Sequence, residues 1–152
     1  MTMKEFSLGF IFSASHKKIL LVHKEKPDWQ KGKINGIGGK LEEGETPVAC
    51  IARETMEESC LSIPEDAWIF LGLLRSNDSW RIHTYMTTYE GDMTDAQRGD
   101  HEEIEWFLSD KLPPECIPNL TWIIPFAQEQ FMATHRCTFD VVYENHLVDD
   151  NN

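Results

Sequence analysis

The sequence predicts an α/β fold in which a mixed β-sheet lies between helices as an α/β/α sandwich. Strand-like apolar runs open the chain, a capped amphipathic helix follows a glycine-rich segment, and further strands then alternate with a second helix. Strands that both adjoin one another and are separated by helices suit a mixed sheet covered on both faces.

The elements follow in order. Residues 5–13 (EFSLGFIFS) and 18–24 (KILLVHK) are apolar, β-rich runs separated by ASHK, which reads as a hairpin. A polar loop, KEKPDWQKGK, leads to INGIGGK, whose glycines permit close backbone approach to a ligand. Pro47 suits the first turn of a helix running to about Ser59, with Thr46 as its N-cap. Val48, Ile51, Ala52 and Thr55 supply the buried side of that helix. Residues 68–75 and 80–89 read as strands joined by the turn SND, and residues 105–108 as a short strand. A second helix is expected over residues 120–133, interrupted or kinked at Pro125, with a last strand near residues 137–143. Residues 1–146 are expected to form one domain and residues 147–152 a flexible tail.

The whole chain narrows the function classes. At 152 residues it is long enough for a substantial core. No apolar run reaches the length of a membrane span, and the first ten residues do not resemble a signal peptide. Cys50, Cys60, Cys116 and Cys137 show no CxxC pairing, so reduced, mostly buried thiols and a cytoplasmic setting are expected. A net charge of −12 argues against a duplex nucleic-acid binder, which needs a basic surface to meet phosphates. Neither a membrane nor a duplex is therefore expected as a partner, and the chain is expected as a monomer or homodimer.

The chemistry concentrates in residues 39–61, GKLEEGETPVACIARETMEESCL. Six glutamates there surround Arg53, three before the helix and three within it. Glu54, Glu57 and Glu58 fall at i, i+3 and i+4, so a helix projects them from one face. Like charges so spaced repel, and a group of hard oxygen ligands suits Mg²⁺ or Mn²⁺, which in turn bind phosphates. A solvated acidic helix face is the competing reading, and the glycine-rich loop just ahead weighs against it.

Gly39, Glu45, Arg53, Glu54, Thr55, Glu57, Glu58, Cys60 and Leu61 follow the pattern G-x5-E-x7-R-E-U-x-E-E-x-G-U, where U is bulky and apolar. In that signature the chain resembles the Nudix hydrolases. Thr55 stands where an aliphatic residue is usual, and Cys60 where glycine readily takes a positive φ. The resemblance implies that Glu54, Glu57 and Glu58 hold Mg²⁺, or Mn²⁺, together with the Gly38 carbonyl. It implies that Arg53 clamps neighbouring carboxylates with Glu45 as partner, and that Glu54 orients or deprotonates the attacking water. Lys40 would neutralise phosphate charge. His101, Glu102 and Glu103 precede a strand where relatives place an extra carboxylate, and Glu103 is assigned to the metal.

Substrate choice rests on positions outside that signature. The segment KINGIGGKLEEGET is similar to one in enzymes that clear oxidised purine nucleoside triphosphates. Asn35 falls at a base-contacting position there and Asn119 near another, and Lys24 is assigned with them to substrate binding. An amide offers both a donor and an acceptor, so it can read O6 together with the protonated N7 of 8-oxoguanine. Turn or cap roles for both asparagines are the competing reading. Trp29, Trp80, Trp106 and Trp122 are candidates for stacking on a base. The expected activity is Mg²⁺-dependent conversion of a nucleoside triphosphate to monophosphate and pyrophosphate, with modified or deoxy purines such as 8-oxo-dGTP as substrates. The alternatives are another nucleoside diphosphate derivative, such as diadenosine polyphosphate or ADP-ribose, and a catalytically silent nucleotide-binding domain. Ser76 and Asn77 stand where Pro or Tyr often marks the former group, and the retained glutamates weigh against the latter.

Overall fold

Strand β1 (Lys4–Ser13) is buried on both faces from Ser7 onward, which is why it reads as a continuous apolar run rather than an alternating one. The computed structural model describes residues 2–99 and 102–144; His101 and the expected tail at 147–152 lie outside them. On one edge β1 runs parallel to β6 (Trp80–Tyr89) along its whole length, from Lys4↔Trp80 to Ser13↔Tyr89. Beyond β6 lie antiparallel β5 (Ile69–Arg75) and then β8 (Phe139–Val142), parallel to β5.

The other edge of β1 does something the sequence did not announce. Strand β2 (Lys18–His23) pairs with β1 only at Ile11↔Leu20 and Phe12↔Ile19, after which the two strands diverge. The glycine-rich segment fills the gap as two further strands. β3 (Ile34–Asn35) pairs with β2, and β4 (Ile37–Lys40) pairs with β1 from Gly9↔Ile37 to Phe6↔Lys40. β7 (Ile104–Leu108) closes the far edge of β2. Among the described residues this makes a mixed sheet of eight strands. The wedge is tight: a Cβ on Gly36 would stand 2.7 Å from the Gly9 carbonyl oxygen.

Two helices cover the two faces. Leu8, Phe10 and Phe12 pack toward Leu120, Ile123, Ile124 and Ala127 of α2 (Leu120–Met132). Ile11, Leu20, Val22 and Ile37 pack toward Ile51 of α1 (Pro47–Ser59). The sandwich expected from the sequence is the one observed. Helix α1 begins where expected: the Thr46 hydroxyl accepts the Ala49 N–H at 3.2 Å, and Pro47 sits at the first turn. Its buried positions are Cys50, Ile51, Thr55 and Ser59, so Cys50 takes the place expected of Ala52. The last carbonyls of α1 are not left to solvent, because Gln97 and Gly99 donate their N–H groups to Ser59 and Glu58 at 2.9 and 3.1 Å. Helix α2 runs unbroken through Pro125, against the expected interruption.

Cys60 takes the left-handed conformation at the end of α1, with φ of 62°, and its N–H reaches the Met56 carbonyl at 3.0 Å. Cys60 and Cys137 are exposed and Cys50 is buried, so the expectation of mostly buried thiols is corrected. Among the described residues no helix is long and apolar enough to cross a membrane. Glycine at position 60 relieves the Cβ clash of the left-handed turn while adding freedom to the unfolded chain. Cys60→Gly is therefore expected to stabilise the fold by about 0.5–1 kcal/mol, read as a higher urea midpoint with unchanged slope.

Candidate functional site

Helix α1 and strand β4 meet in an acidic cleft centred on Arg53. The guanidinium grips Glu45 with two bonds, Nε to Oε2 at 2.7 Å and Nη2 to Oε1 at 3.0 Å. Its Nη1 reaches Glu54 at 2.9 Å and Glu57 at 3.1 Å, and its Nη2 reaches the Lys40 carbonyl at 3.3 Å. One side chain thus ties the loop before α1, the helix face and the end of β4. The hydrogen bonds from Arg53 hold the Glu45 carboxyl at about 2, well below the usual range. Arg53 itself is held still more firmly in its charged form by Glu45.

The remaining carboxylates are under strain of a different kind. Burial pushes Glu58 up to about 8, with the nearby Glu54 charge adding to it. Burial also raises Glu54. Glu58 accepts the Gly38 N–H at 3.1 Å. In an extended strand a residue's N–H and C=O leave by the same edge, so the Gly38 carbonyl also faces away from β1. The glycines are required here. A Cβ on Gly39 would run into the Glu54 carboxylate, and one on Gly38 into the Ser7 carbonyl.

A cavity of about 360 Å³ opens above this cluster, lined by Glu54, Glu57, Glu58, Glu102, Lys24 and Gly38–Gly39 among others. Glu102 is only 5% exposed and pairs with Lys24 Nζ at 3.1 Å. Burial raises its carboxyl, but the backbone N–H of Glu25 and the Lys24 ammonium outweigh that and leave it below its ordinary value. A second cavity of about 1000 Å³ adjoins the first and shares Lys24, Pro27, Gly38 and Gly39 with it. Its walls are largely apolar and aromatic, with Asn35, Asn119 and Lys40 among the polar residues.

Of the residues singled out in the sequence, Glu54, Glu57, Glu58, Gly38 and Lys24 line the acidic cavity, and Arg53 and Glu45 brace it from behind. Lys24, Asn35, Asn119 and Lys40 line the larger one. Glu103 is the correction. Its side chain is 70% exposed and turned to Arg98 at 3.6 Å, and Glu102 enters the cavity in its place. The reason is side-chain alternation: Glu102 shares parity with Ile104 and Trp106, which pack on the α1 side of the sheet. Trp29, Trp80 and Trp122 line the larger cavity, but Trp106 packs under α1 and donates its indole N–H to the Met93 carbonyl. Asn35 is partly occupied, since its amide donates to Gln30 at 3.2 Å and accepts from the Gly36 N–H at 2.8 Å. Gln30 and Tyr143, both on the larger cavity, carried no signal in the sequence.

The donor set suits a hard divalent cation in kind: glutamate oxygens with raised pKa values, a backbone carbonyl, and glycines that admit nothing larger. As placed, no three carboxylates among the described residues are gathered closely enough to hold an ion. Glu54 and Glu57 turn onto Arg53 and Glu58 onto Gly38 instead.

The raised Glu58 value has a consequence for stability. An unfolded chain releases this proton near 4.5 and the folded one near 8. Across that window the folded state holds a proton that the unfolded state lacks, so stability falls as pH rises. In chelator-treated protein the urea midpoint is expected to decline from pH 5 to pH 8. Glu58→Gln should flatten that decline, and Mg²⁺ should oppose it in the unsubstituted protein.

Comparison with known proteins bears on the family and the fold. The chain is 30% identical over 100 residues to the oxidized purine nucleoside triphosphate hydrolase of Danio rerio, a match covering 62% of this chain and 61% of that protein. The matched region is thus less than two-thirds of the relative's length. The fold is similar to the crystal structure of a NUDIX hydrolase from Nitrosomonas europaea, at 16% identity and a TM-score of 0.72, covering 95% of this chain and 81% of that one. It is also similar to the MutT protein of Bacillus halodurans, at 18% identity and a TM-score of 0.69, covering 95% and 92%. Residues 3–128 match the NUDIX domain, an extent that takes in the splayed strands, the glycine wedge and all of α1, and the chain belongs to that family.

Proposed function

We propose that this chain is a Mg²⁺-dependent hydrolase that splits a nucleoside triphosphate into the monophosphate and pyrophosphate, with oxidised or otherwise modified purines as substrates. The observation that carries the reading is the joining of two unlike cavities across Gly38–Gly39, with Lys24 on both walls. The acidic one suits phosphates that arrive with a cation, and the aromatic one suits a base. The name of the Danio rerio relative supports the substrate class. A cytoplasmic setting is consistent with that role.

Glu54, Glu57, Glu58 and the Gly38 carbonyl would hold Mg²⁺, with Mn²⁺ as a substitute, and Glu102 stands close by. The chemistry such a cation supplies when bound is neutralisation of phosphate charge and a lowered pKa for water. The chain's own groups do the rest. Arg53 fixes the direction of Glu54 and Glu57 and limits their rotation. Lys24, neutralised by Glu102 in the free protein, offers its ammonium to the phosphate chain, and Lys40 adds charge at the cavity rim. Glu54, whose carboxyl burial raises above its ordinary value and so makes a better proton acceptor, orients the attacking water and accepts its proton as the carboxylate. The aromatic walls keep the base end dry, so hydrogen bonds made there are stronger than in water.

A nucleotide panel of canonical and oxidised triphosphates, ADP-ribose and diadenosine polyphosphate tests this reading, with pyrophosphate and phosphate release as readouts. Oxidised purine triphosphates are expected to turn over fastest and only with a divalent cation. Glu57→Gln is expected to lower kcat/KM by at least about 10²-fold, since even outer partners of a metal site are worth 10–100-fold. Equal activity in both proteins would remove the glutamate cluster from the mechanism, and no turnover of any nucleotide would favour a binding domain.

A further inference from the structure

Glu102 lines the acidic cavity, yet its side chain is tied to a segment that walls the larger one. The pairing of β2 with β7 puts it there. Val22 pairs with Ile104, and the His23 N–H donates to the Glu103 carbonyl at 2.8 Å, so Glu102 comes beside Lys24, one residue past the end of β2. Its Oε1 takes the Lys24 ammonium at 3.1 Å. Its Oε2 takes the backbone N–H of Glu25 and, at 3.4 Å, that of Lys26.

Those two amides open a turn. The Lys24 N–H donates to the Lys33 carbonyl at 2.8 Å and the Gly32 N–H to the Lys24 carbonyl at 3.0 Å, which closes the turn at its base. Pro27, Trp29 and Gln30 lie within it and line the larger cavity. Trp29 is 69% exposed, so packing does little to place its side chain and the backbone of the turn does most. Bonds inside the turn, from the Gln30 N–H to the Pro27 carbonyl and from Lys31 to Asp28, give it a shape but no position on the body of the protein. Position comes from tethers. Asn35 holds the far end through Gln30 at 3.2 Å, and Glu102, only 5% exposed, holds the near end. Bonds to a buried carboxylate are among the stronger and more directional that a backbone amide can make.

We propose that Glu102 is a positioning residue for the larger cavity: it holds the start of the turn over residues 25–31, and so sets where Pro27, Trp29 and Gln30 stand on the wall that receives the base. This rests on the nucleotide reading above and gives one carboxylate of the acidic cavity a task at the other end of the substrate. The task requires an acceptor oxygen rather than a charge, and it requires no cation. Both features separate it from ligation of a metal and from acceptance of a proton.

Glu102→Gln keeps an acceptor for the amides, and Glu102→Ala removes it. Alanine also leaves the Lys24 ammonium without this partner, so the comparison is repeated between Lys24→Met/Glu102→Leu and Lys24→Met/Glu102→Gln, which leave no unpaired charge at the pair. Two readings are taken in chelator: NMR hydrogen exchange at the Glu25 and Lys26 amides, and the Kd of 8-oxoguanosine, which carries no phosphate. In the Ala variant and the Met/Leu pair, exchange is expected to quicken about tenfold or more, and Kd to rise about 3- to 10-fold, the value of one hydrogen bond. Both Gln variants should stay close to the unsubstituted protein. Unchanged exchange in the Ala variant and the Met/Leu pair would overturn the tether. Faster exchange with an unchanged Kd would overturn its role at the cavity and leave a merely structural bond. Loss of Mg²⁺-dependent turnover alone, with both readings unmoved, would assign Glu102 to the cation and overturn the proposal. Should the unsubstituted protein bind no nucleoside, the nucleotide reading falls. A Trp29 indole resonance that shifts in the Met/Leu pair but not in the Met/Gln pair would then still support the positioning role, and an unshifted one would overturn it.

Discussion

The fork of bonds between Arg53 and Glu45 is the constraint on which the rest of the site depends. Four carboxylates stand within reach of one guanidinium, with N···O separations from 2.7 to 3.8 Å. Glutamates at i, i+3 and i+4 on a half-buried helix face would otherwise repel one another and favour protonation. Arg53 compensates Glu45 fully and Glu54 and Glu57 in part, while Glu58 is left with a single backbone N–H and a strongly raised pKa. The result is graded. Glu45, gripped by two bonds, is settled, while Glu54 and Glu58, more deeply buried beside the cavity, are raised and favour the approach of positive charge. A planar fork suits this arrangement because its donors lie in fixed directions, which a lysine ammonium does not provide.

That grading is useful only because of where the glutamates are held, and the wedge of β3 and β4 between the diverging β1 and β2 decides that. The wedge carries Gly36, Gly38 and Gly39 between two strands and a helix at distances that no side chain would permit. It places a backbone edge, rather than a side chain, between the acidic cavity and the aromatic one. In the proposed function, backbone N–H and C=O groups at such an edge would meet the phosphate end, and the absence of side chains would let one ligand span both cavities. Ahead of β7, Gln97 and Gly99 tie the chain to the end of α1, the helix that carries Glu54, Glu57 and Glu58. Gly99 has the same origin as the wedge glycines: a Cβ there would strike the Glu57 carbonyl.

How legible each part was in the sequence depends on the range of the interaction that forms it. Helix α1 follows from local chemistry, a Thr46 cap, Pro47 and apolar spacing, and its bounds were readable to within a residue. The long strands followed from apolar, β-branched composition. β3 and β4 did not, because two and four residues rich in glycine carry no periodic signal and owe their pairing to a gap between other strands. The exchange of Glu102 for Glu103 has a similar source. Alternation does assign Glu102 to the face of Ile104, but only once it is known that α1 covers that face.

By itself the sequence determined the sandwich, the helix and the cluster of charges on it, because spacing along one helix and composition along one strand are local matters. It also determined that Asn35 and Asn119 stood apart from that cluster. The tertiary structure alone decided that both asparagines, Lys24 and Lys40 share one cavity, that Trp106 is excluded from it, and that Tyr143 stands behind Asn119. Those relations join separate elements of the chain through strand pairing and packing, and no local propensity encodes which distant side chain will complete a given hydrogen bond.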